Sequence, residues 1–122
     1  MISYVTIGSN DLTTSGAFFD ALFGALNGTR AFSQNKMIGY SFGPDKPMIV
    51  VNHPYDGNRA THGNGTMIAL AARDRAQVVA IHALALSQGA SDEGAPGPRG
   101  TSFYGGFFRD PDGNKFNIHL SS

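Results

Sequence analysis

From Tyr4 to Ile7 apolar and polar residues alternate, with Val5 and Ile7 on one face and Tyr4 and Thr6 on the other, which predicts a strand within Met1–Gly8. Asp11 follows at an N-cap position, and Phe18, Phe19, Leu22, Phe23 and Leu26 then recur at helical spacing until Asn27-Gly28 ends the helix. Gly16 and Gly24 each cost such a helix about 1 kcal/mol relative to alanine, so its aromatic face has to hold it by packing. Three short strands are predicted next: Thr29 to Ser33, Met37 to Phe42 and Met48 to Asn52. Turns fall at Gln34-Asn35 and Gly43-Pro44-Asp45. His53 to Gly65 is polar and glycine-rich with no apolar period, and reads as a connector.

The pattern then restarts. Thr66 to Ala72 is strand-like, Asp74 caps a second helix, and Gln77 completes a capping box. Val78, Val79, Ile81, Ala85 and Leu86 form the predicted buried face, His82 falls at its surface or flank, and Gly89 marks the C-terminus. Ala90 to Gly100 reads as a loop with at most a short edge strand, since two prolines cannot donate to a central ladder. Ser102–Arg109 and Lys115–Leu120 form a hairpin around Asp110-Pro111-Asp112-Gly113. Tyr4 stands before Asp11 as Met67 stands before Asp74, seven residues in each case. The expected fold is therefore α+β: one domain of two β-α-β-β-β modules, 1–52 and 66–122, joined by the connector 53–65.

Composition narrows the function classes. Nine Lys+Arg against nine Asp+Glu in 122 residues leave no net charge. That balance argues against a nucleic-acid or anionic-membrane partner. With 41% hydrophobic and 15% charged residues the chain is globular in composition. The absence of cysteine excludes disulfides, thiolate metal sites and cysteine nucleophiles. No apolar run approaches the length of a membrane span and no secretory leader is evident, so a cytoplasmic location is expected.

The stretch Phe107-Phe-Arg-Asp-Pro-Asp-Gly-Asn-Lys-Phe116 resembles the closing hairpin of the vicinal oxygen chelate superfamily, which includes glyoxalase I, extradiol dioxygenases and fosfomycin- and bleomycin-resistance proteins. The opening Tyr4-Val-Thr-Ile-Gly-Ser-Asn-Asp-Leu and its aromatic helix are similar to their first strand and helix, and Asp92-Glu-Gly-Ala-Pro-Gly-Pro-Arg99 resembles a loop of the small bacterial members. The likeness runs over nearly the whole chain. It implies paired modules that form an open, cup-shaped eight-stranded sheet, often in a homodimer. It also implies a metal site at the first and last strands of each module, at Tyr4, Val50, Met67 and Asn117 here. Close relatives would carry His at 4 and 67 and Glu at 117.

None of those ligands is present. A divalent ion of the family needs imidazole or carboxylate donors, and phenol, alkyl, thioether and carboxamide groups do not replace them. The expectation is that the family metal is lost and no cofactor remains. The chain then binds a small organic molecule in an apolar and aromatic cup, through Tyr4, Val50, Met67, Arg99, Asn117 and His119. Strand alternation sets His119 on the face of Asn117. Arg99 suits a ligand carboxylate or phosphate, or else faces solvent. Two of Phe103, Tyr104, Phe107 and Phe108 line the cup; alternation does not say which two.

Two other readings stay open. One is a lyase, isomerase or ring-cleaving dioxygenase, with His119 and Tyr4 as catalytic groups in metal-free acid–base chemistry, or with an unusual ion held by His53, His62 and His119. The other is a protein-interaction module whose cup has collapsed.

Overall fold

The structure, a computed structural model, describes residues 1–121. The chain divides into two compact units, Met1–Thr61 and His62–Ser122. Each carries β-α-β-β-β.

The first unit runs β1 (Tyr4–Gly8), α1 (Leu12–Gly24), β2 (Thr29–Gln34), β3 (Met37–Ser41) and β4 (Met48–Asn52). Its sheet has the order β1-β4-β3-β2, with β1 and β4 parallel and the other pairs antiparallel. Asp11 is the N-cap of α1: its Oδ1 accepts from the Thr13 and Thr14 N–H groups at 3.0 and 3.2 Å. The helix stops at Gly24, short of Leu26. Beyond it Asn27 takes φ +65°, and the Gly28 N–H closes on the Phe23 carbonyl at 2.7 Å. The buried face of α1 is aromatic. Phe23 stacks on Phe19 at 4.8 Å and meets Tyr40 edge-on at 5.2 Å. Rings of that size contribute about 1.5–3 kcal/mol each when fully buried, which offsets the two helical glycines.

The second unit runs β5 (Ile68–Ala71), α2 (Arg75–Ser87), β6 (Ser91–Arg99), β7 (Phe103–Arg109) and β8 (Lys115–Ser121). Its order β5-β8-β7-β6 repeats the first, again with the outer pair β5 and β8 parallel. Phe108 and Phe116 stack at 5.7 Å in the core beneath α2, with Ile118, Val78, Ile81 and Ala85. The Asp110-Pro111-Asp112-Gly113 turn closes with a 2.9 Å bond from the Gly113 N–H to the Asp110 carbonyl, and Gly113 takes φ +91°.

Four expectations need correcting. Ala90–Gly100 is no loop: Ser91–Arg99 is a nine-residue strand. It lies at the sheet edge, where pairing on one side only tolerates Pro96 and Pro98, and its register shifts twice along β7. His82 is not at the surface; it is 5% exposed, whereas Val79, assigned to the core, is 48% exposed. Gln77 does not complete a reciprocal box, because its Oε1 accepts from the Arg73 N–H at 2.9 Å and not from that of Asp74. The first hairpin turns at Asn35-Lys36, one residue later than predicted. No helix among the described residues is long and apolar enough to cross a membrane.

Candidate functional site

Register sorts each strand residue onto one of two faces. In the first unit Tyr40, which packs on α1, lies opposite Ile49; Ile38 and Ile7 lie opposite Val51. The helix side therefore takes Ile7, Ile49 and Val51. The other face takes Tyr4, opposite Met48, and Val50, opposite Thr6 and Gly39. Tyr4 is 60% exposed, while Val50 is buried. Phe32 lies flat over Gly39, where a side chain would collide with the ring.

In the second unit Phe108, Phe116 and Ile118 face α2, so Asn117 and His119 share the opposite face. Ala69 lies opposite Asn117, just as Thr6 lies opposite Val50, which gives Val50 and Asn117 equivalent register positions. β7 resolves the aromatic ambiguity: Phe107 pairs with Asn117 and joins its face together with Phe103, while Tyr104 and Phe108 point to the helix side. Phe103 stacks on His119, centroids 5.3 Å apart and planes 8° from parallel, and on Phe107 at 6.2 Å. Gly105 makes this plate possible, since a Cβ there would meet the Phe103 ring at 2.7 Å.

Two cations border the plate. The Arg99 guanidinium and the Lys115 ammonium each lie 5.6 Å from the Phe107 centroid. Arg109, on the same face, is committed to Glu93 at 2.8 Å and to the Gly113 carbonyl at 2.8 Å.

Asn117 carries the sharpest polar feature of this face. It is 3% exposed; its Nδ2 donates to the Met67 sulfur at 3.7 Å, and its Oδ1 has no hydrogen-bond partner. An unmet buried acceptor costs about 1–3 kcal/mol, so the native fold carries an unsatisfied demand for a donor at this point.

The candidates thus separate. Met67, Asn117, His119 and Arg99 gather on one face of the second sheet with Phe103 and Phe107; Tyr4 and Val50 share the corresponding face of the first. At the four positions of the family's metal, Tyr4, Val50, Met67 and Asn117, the donor set does not fit its divalent ion. It comprises one exposed phenol, one alkyl group, a thioether already engaged by an amide, and that amide. Of the three histidines weighed for an unusual ion, His53 and His62 make contacts within their own units. His53 donates its Nδ1–H to the Ser9 carbonyl at 2.9 Å beside a cleft of about 320 Å³ that Lys36 and Arg59 also line. His62 lies over Gly113 in the other unit. Among the described residues no three His, Asp or Glu side chains group to hold a metal.

Sequence reasoning missed three features. His82 Nε2 donates to the Phe107 carbonyl at 3.2 Å and to Asp92 at 3.1 Å, tying α2 to the edge of the sheet. The Asp92 carboxyl is held below its ordinary range, chiefly by the Gly94 N–H and also by His82. Asp110 is buried under its turn, and burial pushes its carboxyl up to about 6 against the N–H groups of Asn114 and Asp112. Lys115 was overlooked although the hairpin signalled it: a tight turn over 110–113 sets Lys115 opposite Arg109 and Asn117 opposite Phe107.

A family model described as Glyoxalase/Bleomycin resistance protein/Dioxygenase superfamily matches residues 1–118. Among solved structures, a glyoxalase/bleomycin resistance protein from Albidiferax ferrireducens T118 is 35% identical, with a TM-score of 0.91 over 100% of this chain and 99% of that one. A glyoxalase-related enzyme from Fulvimarina pelagi shares the fold at 19% identity, with a TM-score of 0.83 over 99% and 88% of the two chains. A lactoylglutathione lyase from Agrobacterium tumefaciens does so at 19% identity, with a TM-score of 0.73 over 98% and 92%. No curated protein matches the chain.

Proposed function

The chain belongs to the glyoxalase/bleomycin resistance protein/dioxygenase superfamily, and from that premise we propose that it binds a small planar organic molecule without the family's metal. The ligand lies against the plate of Phe103, Phe107 and His119, on the sheet face that carries Asn117 and Met67. The observation that carries this reading is the buried Asn117 Oδ1, an acceptor with no partner on the sheet face that carries three stacked rings. A flat ligand with an N–H or O–H at its edge meets that demand while covering apolar ring surface, the combination that small-molecule sites use. The thioether of Met67 packs adaptably, and Tyr4 and Val50 have no metal to hold.

The test is elemental analysis with native mass spectrometry on protein purified without chelator. No stoichiometric divalent metal is expected, and added planar heterocycles should shift the NMR signals of the Asn117 amide and the His119 ring. One equivalent of tightly held metal would overturn the reading. Catalysis by proton transfer at His119 is the competing reading, favoured by its place beside that same amide. His119→Phe keeps the stacked ring, so retained binding with abolished turnover would identify an enzyme.

A further inference from the structure

We infer that the ligand of this face is an organic anion: a planar conjugated ring bearing a carboxylate, with an N–H or O–H donor at the adjacent ring position. The inference deepens the binding reading above and rests on it. Its independent support is the charge pattern. Arg99 is fixed by Nη1 to the Gly97 carbonyl at 3.0 Å and by Nη2 to the Ala95 carbonyl at 2.8 Å. Those neutral acceptors orient the guanidinium but leave its charge unbalanced. Among the described residues Lys115 likewise pairs with no carboxylate, and its ammonium lies 5.6 Å from the Phe107 ring centroid. The nearby carboxylate of Glu93 is already committed to Arg109. Two cations with no carboxylate partner among the described residues therefore lie beside one ring of the aromatic stack, in a chain whose net charge is zero. A neutral aromatic ligand would leave them unused, whereas a carboxylate gains charge-assisted hydrogen bonds from a guanidinium already held in place.

The buried amide sets the second half of the ligand. Only a donor satisfies Asn117 Oδ1, and Met67, 40% exposed with a flexible thioether on the same amide, is the side chain that moves to admit it. Ring, anion and donor are three separate demands made by three separate sets of residues.

Three matched probes separate these demands: an indole carboxylate with the acid on the carbon beside the nitrogen, its carboxamide, and its N-methyl derivative. Titrations of the full chain are followed by NMR at Asn117 and His119. The carboxylate is expected to bind about tenfold tighter than the carboxamide, with the gap narrowing as salt rises. Either Arg99→Gln or Lys115→Gln should weaken carboxylate binding more than carboxamide binding and so narrow that gap, and the two variants guard against one of them simply perturbing the strand. N-methylation should weaken binding about fivefold to tenfold, the worth of one buried hydrogen bond, and Asn117→Leu should erase that difference. Equal binding of carboxylate and carboxamide overturns the anion claim and leaves the planar-ligand reading intact. Failure of all three probes to shift Asn117 or His119 overturns both.

Discussion

The two units share one plan and divide its uses. α1 and α2 are each 13 residues long, and Leu12 to Arg75 and Gly24 to Ser87 are the same step of 63 residues. That step carries the buried positions Ser15, Phe18, Phe19 and Leu22 of α1 onto Val78, Ile81, His82 and Ala85 of α2, all buried too. The geometry is held and the chemistry changes. Where the first unit fills the third position with a phenylalanine in an aromatic cluster, the second places an imidazole bonded to a carbonyl and a carboxylate. On the opposite sheet face, Val50 of the first unit answers to Asn117 of the second. Duplication has left one module whose features are those of packing and another whose features include unmet polar and charged groups.

Exchanging the two helix residues tests this directly. Phe19→His puts an imidazole into the aromatic cluster of α1, against the rings of Phe18, Phe23 and Tyr40. The loss of ring packing and the burial of an unpaired polar group should lower unfolding free energy by about 3–5 kcal/mol in urea titration. A cost under about 1 kcal/mol would mean that the first unit tolerates polarity as the second does, and the contrast would fail.

Asp110 offers the next effect in size, and it lies in the second unit alone. Its native pKa of about 6 stands above the ordinary aspartate value of about 3.9. Between those values the native state binds the proton more tightly than the unfolded state. Its contribution is therefore complete below about pH 4 and is lost as pH rises through about 6. That separation corresponds to about 2–3 kcal/mol. Other carboxylates, among them Asp20 held low by Arg30, work in the opposite direction below that window. The readout is accordingly the difference between wild type and Asp110→Asn across pH 4 to 6.5, which should slope with pH for this residue and be flat if the carboxyl titrates normally.

Much of this organisation is legible from residue order. Both caps, the repeat register and the closing turn follow from Asp11, Asp74 and Asp110–Gly113, because they depend on local bonds whose residue types are restrictive. β6 was not legible: Pro96 and Pro98 argue against a strand until one knows it lies at an edge, which is a fact of topology. His82 was misplaced by reading the apolar stripe of α2 in isolation. The offset from Phe19 carried the correct answer, since a duplicated helix inherits its inward positions. The unmet Asn117 oxygen could not be read at all, because satisfaction of a polar group depends on what surrounds it in three dimensions.

The smallest effects concern how each helix is tied to its sheet. In the second unit His82→Phe fills the same volume but strips the Phe107 carbonyl and Asp92 of their donor, for an expected loss of about 1–2 kcal/mol. In the first unit the tie is Tyr40, whose hydroxyl donates to Asp20 Oδ1 at 2.8 Å, with Arg30 forked onto the same carboxylate at 2.8 and 3.0 Å. Tyr40→Phe leaves the ring packed edge-on against Phe23 and Asp20 still paired to Arg30, so about 0.5–1 kcal/mol is expected. The Asp20 and Arg30 side chains are 49% and 38% exposed, and Arg30→Gln should therefore cost at most about 0.5 kcal/mol, less as salt rises. The ranking matters more than any single value. If Tyr40→Phe proved costlier than His82→Phe under the same urea titration, the first unit would hold the more demanding polar tie, and the division between a packing module and a polar one would have to be reversed.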